Sequence, residues 1–161
     1  MPKDPNPVLR KHLVELLRGG QAHLTFDDAI EGIPPALRGK RPKGAAHSPW
    51  ELLEHLRIAQ WDILEFSRSA KHESPDWPDG YWPKSPQPPT RNAWKQSADA
   101  FRADLEAMIK LVSNPKSDLI AKIPHGDGQT LLREALLVAD HNAYHYGQLA
   151  TVKHQLLAKP R

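Results

Sequence analysis

The sequence predicts an all-α protein, an antiparallel four-helix bundle with a crossover connection, and three observations carry that prediction. Apolar residues recur at spacings of three and four along several segments. Helix-start and helix-stop signals bound those segments. Nothing along the chain alternates with the two-residue period of a strand. At 161 residues the chain has the size of one ordinary domain with a real core, so residues 1–161 are expected to form a single helical domain.

The first helix runs from Pro7 to about Leu17, where Val8, Leu9, Leu13, Leu16 and Leu17 recur at helical spacing and Gly19-Gly20 stops the pattern. Next comes LTFDDAIEGIPPALRGKRPKGAAH, which supports one or two helical turns after a Thr25 cap. Gly32, Pro34, Pro35, Gly39 and Pro42 fragment the rest, so this segment is expected to wrap the bundle irregularly. Ser48-Pro49-Trp50-Glu51 starts the second helix: a capping Ser, Pro at the first helical position and Glu three residues after the cap. That helix is expected to reach about Ala70.

Residues 71–90 contain six prolines and no periodicity, and read as a long ordered loop. The third helix is marked by Trp94, Ala98, Phe101, Leu105, Met108 and Val112, and Asn114-Pro115 ends it. After Pro124, Gly126 and Gly128, the run TLLREALLVADHNAYHYGQLATVKHQLL supports a fourth helix of about seven turns. Its internal Gly147 costs about 1 kcal/mol relative to Ala, which suggests close approach by another helix or a ligand unless the residue is merely tolerated.

Composition narrows the chemistry. With no Cys there are no disulfides, no thiolate ligands and no cysteine nucleophile, so any metal site must use His, Asp or Glu. The 22 basic and 19 acidic residues are interspersed, and their net charge of +3 forms no basic stripe, so direct nucleic-acid binding is not expected. No membrane span and no secretory leader are read, which makes the cytoplasm the expected location.

The candidate chemistry lies in three histidines. Leu131, Ala135, Val138, Asn142, His145, Leu149 and Val152 form the inward stripe of the fourth helix, with His141 beside it four residues before His145. Two histidines at that spacing suit one metal ion, although by itself the pair fits a hydrogen-bonded core equally well. His55 shares a face of the second helix with Leu52, Ala59 and Asp62, and Leu56 and Ile63 also point inward. A third inward imidazole tips the balance, because clustered neutral histidines in an apolar interior would each need a partner and coordination supplies one.

The segments SPWELLEHLRIAQWDIL and TLLREALLVADHNAYHYGQL resemble the two signature segments of the DinB-like superfamily. The resemblance implies that His55, His141 and His145 are the ligands of a divalent metal ion, zinc or nickel. It also implies a four-helix bundle with a crossover and a homodimer. It leaves the reaction open, since some relatives are thiol-dependent S-transferases or isomerases acting on bacillithiol, mycothiol or glutathione adducts and many have no assigned activity. The expected function is a divalent-metal-dependent enzyme, a thiol-dependent S-transferase using a low-molecular-weight thiol or a hydrolase, and the alternative is a non-catalytic metal-binding or stress-associated bundle.

Other residues are candidates for supporting roles. Glu51, Asp140, Glu134 and Gln148 lie near the ligands by helical spacing, and Glu134, seven residues before His141, is the weak candidate for a fourth ligand or general base. His47 and His125 are expected at the mouth of the site or simply in solvent. Trp77, Tyr81 and Trp82 are expected either as a substrate wall or as packing over the bundle end. Trp61, Tyr144 and Tyr146 flank the ligands and fit a pocket wall or ordinary core packing.

Overall fold

The computed structural model describes residues 6–158. Among these residues five α-helices follow in order: α1 Pro7–Arg18, α2 Phe26–Ile30, α3 Pro49–Arg68, α4 Ala93–Ser113 and α5 Leu131–Leu157. Their starts follow from local chemistry. The Thr25 side chain accepts from the Asp28 amide while Asp28 accepts from the Thr25 amide, and Ser48 and Glu51 repeat that reciprocal box at α3. The Thr130 hydroxyl caps α5 through the Arg133 amide. The first helix stops at Gly19, whose φ of 68° lies in the left-handed region that favours glycine. Among the described residues strand-like pairing is limited to one isolated bridge between Lys122 and Thr130.

The α3 helix packs against both α4 and α5, and α1 packs against the same two, which puts α1 and α3 on a diagonal. Side-chain pairings give the directions. Glu54 meets Ser97 and Gln60 meets Phe101, so α3 and α4 run in parallel. His55 meets His145 and Gln60 meets Asn142, so α3 and α5 are antiparallel. Arg10 reaches the Val112 carbonyl at the far end of α4 while Arg18 borders the same surface depression as Leu105 and Ile109, so α1 and α4 are antiparallel too.

Because α3 and α4 are parallel, residues 69–92 must travel back along the bundle before α4 begins. They form a strap along α3: His72 bonds Asp62, the Tyr81 carbonyl faces His55, and Ser48 donates to the Pro86 carbonyl. The proline-rich stretch expected as a loop is therefore the crossover. It runs beside the helix rather than over the bundle end.

The core has two apolar halves. One gathers Phe26, Trp50, Leu53, Leu56, Phe101, Tyr146 and Leu149, with Phe26 and Phe101 stacked at 4.0 Å. The other gathers Leu13, Leu17, Leu64, Met108, Val112, Leu131 and Val138. A polar layer separates them: Asn142 donates to the Gln60 side-chain carbonyl at 2.9 Å, and Gln60 donates to the Phe101 carbonyl at 2.8 Å. Gln60 uses both ends of its amide, whereas Asn142 uses only its nitrogen and its Oδ1 is buried without a hydrogen-bond partner among the described residues. All seven residues of the α5 stripe are buried, whereas Val8 and Leu16 of α1 face outward.

Candidate metal centre

The polar layer lies next to a cluster of histidines. His55 comes from the middle of α3, and His141 and His145 from successive turns of α5. The antiparallel packing of the two helices brings one ring nitrogen of each to within 4.8 Å of the others. His55 Nε2 lies 3.1 Å from His145 Nε2 and 3.0 Å from His141 Nε2. His55 and His145 are buried and His141 is half-buried.

Hydrogen bonds on the far side of two rings decide what these nitrogens can do. His55 Nδ1 donates to the Tyr81 carbonyl at 2.9 Å, and His145 Nδ1 donates to Gln148 Oε1 at 2.7 Å. The Gln148 amide is oriented in turn, since its nitrogen donates to Tyr144 Oη at 3.1 Å. With Nδ1 protonated, Nε2 of both rings is a bare lone pair, and the two nitrogens stand only 3.1 Å apart. A cation resolves that opposition. Two nitrogens on one tetrahedral zinc-sized ion would stand about 3.3 Å apart, a few tenths of an ångström more than the spacing present, so the donor set fits a divalent metal.

Electrostatics agree. Burial lowers the pKa of all three imidazoles, to about 3 for His141 and about 4 for His145, and the neighbouring histidines push the same way. Near neutral pH the rings are therefore uncharged, as ligands must be.

A cavity of about 530 Å³ opens beside the cluster. Ala59, Ile63 and Leu137 give it an apolar wall, while Trp77 and Tyr144, both strongly exposed, stand at its mouth. Trp82 stacks on the His55 ring at 3.9 Å and on His47 at 4.0 Å, so it covers one face of a ligand candidate. Among the described residues no Lys or Arg lines the cavity.

Several sequence expectations take definite form. Gln148 orients His145, His47 lines the cavity, and Trp77, Tyr81 and Trp82 form its wall. Glu51 instead completes the α3 cap and pairs with Arg41, and Asp140 is exposed. Glu134 is not brought to the cluster, because two helical turns separate it from His141 and its carboxylate is paired with Arg133 at 2.8 Å. His125 is exposed and hydrogen-bonded to the Phe66 carbonyl, away from the cavity. Tyr146 is buried against Phe26 and Phe101, while Trp61 packs edge-on to His72.

Sequence reasoning missed the Tyr81 carbonyl and the partners of Asp62. The first is a backbone group with no residue signature. The second needed the strap's path, although His72 and Tyr81 both stand in the stretch read as a loop.

No curated protein and no solved structure matches the chain significantly. A sequence profile of the DinB superfamily does match it, over residues 21–149, which span α2 to most of α5 and include all three histidines. The chain belongs to the DinB superfamily.

Proposed function

We propose that the protein is a divalent-metal-dependent enzyme, with His55, His141 and His145 as ligands and a water or small-molecule thiol in a remaining coordination position. The observation that carries this reading is the pair of bare Nε2 atoms 3.1 Å apart, with His141 Nε2 3.0 Å from one of them, beside an open cavity. Three protein nitrogens leave a position for a reactant, the arrangement that separates catalytic from closed structural sites. Zinc or nickel suits imidazole donors.

When bound, the ion supplies a Lewis acid that lowers the pKa of a water, or of a substrate thiol, towards neutrality. The chain's own residues do the rest. The Tyr81 carbonyl and Gln148 hold two of the rings in register, and Trp82 shields the His55 face from water. The apolar wall receives the body of the substrate, and the lack of lining cations favours one without anionic groups. A thiol-dependent S-transferase or a hydrolase both fit. Because the chain has no Cys, a reacting thiol must come from a cosubstrate.

Elemental analysis of untagged protein beside a His141→Ala, His145→Ala variant tests the site. The expected result is about one divalent ion per chain in the parent and none in the variant. Absence from both after reconstitution would retire the ligand assignment. Metal in the parent without turnover across uncharged thiol-transfer and hydrolase substrates would favour the non-catalytic bundle.

A further inference from the structure

No residue from 69 to 92 of the strap that contributes the Tyr81 carbonyl is buried as a whole, and Trp82, half-buried against the core and stacked on His55, is its apolar contact. A long segment with so little buried apolar surface also needs specific bonds to offset its conformational entropy. Two of those bonds converge on one group. Asp62, buried on α3 seven residues after His55, accepts from Tyr81 Oη at 2.6 Å with one carboxylate oxygen and from His72 Nε2 at 2.7 Å with the other. The His72 side chain is itself enclosed, only 7% exposed, and packed edge-on to Trp61.

We infer that Asp62 is a positioning residue of the metal centre, clamping the strap through Tyr81 and His72 so that the Tyr81 carbonyl holds the His55 imidazole. The inference rests on the reading of His55 as a ligand. The chain of contacts is short and continuous. The Asp62 carboxylate fixes the Tyr81 phenol, the same residue's carbonyl accepts the His55 Nδ1 proton at 2.9 Å, and the next residue, Trp82, stacks on the His55 ring. Releasing the phenol frees the carbonyl and the indole together. His55 then loses both the partner that sets its tautomer and the ring that fixes its plane.

Asp62 also faces the cavity, but both of its oxygens are engaged by the strap. Its geometry is that of an anchor. Groups that orient a metal-binding histidine typically change metal affinity by about 10- to 100-fold when removed, which sets the expected effect.

The test uses the full-length protein with Tyr81→Phe, which deletes one hydroxyl, and Asp62→Asn, which cannot accept both bonds. Zinc affinity is measured by competition with a chromophoric chelator, and the His55 tautomer by imidazole 15N NMR of the metal-free protein. Each variant is expected to bind zinc about tenfold or more weakly and to lose the single Nδ1–H form of His55. The double variant should be no weaker than Asp62→Asn alone, because both changes break the same clamp. Parent-like affinity and parent-like tautomer in both variants, or losses that simply add, would overturn the clamp. If the parent takes up no zinc, the metal reading fails by itself, and the tautomer comparison then decides whether Asp62 positions His55.

Discussion

At the scale of single residues, the site depends on which ring nitrogen carries the proton. An imidazole held at Nδ1 by an acceptor presents a bare Nε2, and His55 and His145 are both held that way. The cost is that these rings resist protonation. In an unfolded chain a histidine titrates near its ordinary value of about 6.5, whereas folded His141 and His145 are depressed to about 3 and about 4. The titratable groups facing them are each other, His55 and His47. Below about pH 6.5 the unfolded state therefore binds more protons than the folded one.

Metal-free protein is thus expected to have its full histidine-linked stability above about pH 7 and to lose it progressively on acidification, by up to about 1.4 kcal/mol per pH unit for each histidine. Urea unfolding at several pH values between 7.5 and 5 measures this above the ordinary carboxylate range. The His141→Ala, His145→Ala variant should show a shallower slope, and an equal slope would contradict the depressed values.

At the scale of elements, α5 combines an unbroken apolar stripe with a histidine pair, and its register against α3 joins the polar layer to the metal centre. Of the two readings its sequence position allows for Gly147, the structure supports the merely tolerated small residue. Nothing lies within 4 Å of a Cβ built at Gly147, so neither a neighbouring helix nor a packed side chain explains it. The residue is exposed and borders a second depression, which shares His47, Tyr144 and Gln148 with the site cavity. Gly147→Ala is therefore expected to stabilise the protein by about 0.5–1 kcal/mol, since alanine restricts the unfolded backbone and suits a helix interior. Chemical denaturation reads that gain, and a loss of stability would show that the position is more tightly enclosed than the structure indicates.

At the scale of the whole molecule, the parallel α3–α4 pair requires the crossover, and the crossover gives the site its outer wall. The proposed ion would join α3 to α5, so metal bound only by the folded state should raise its stability. At a free metal concentration 100 times the dissociation constant the gain is about 2.7 kcal/mol. Removing the metal with a chelator should lower the melting temperature of the parent and leave the His141→Ala, His145→Ala variant unchanged. Equal shifts in both would mean that the chelator acts elsewhere.

The sequence by itself determined the helices and the three histidines. Periodicity and capping are local properties, and each long helix lies within a few residues of its expected bounds. The inward face of α5 could be read because a buried stripe at spacings of three and four has only one way to face the core. Only the tertiary structure decided the rest. That Glu134 stays with Arg133 depends on axial distance along α5, and that Tyr81 and Gln148 set the ring tautomers depends on where a backbone carbonyl and a long amide come to lie. That Asp62 anchors the strap depends on the return path of residues 69–92, a segment with no periodic pattern from which a route could be derived. Helix formation is written in neighbouring residues, whereas the shell around the histidines is built from contacts between segments distant in the chain, which become definite only once the bundle has packed.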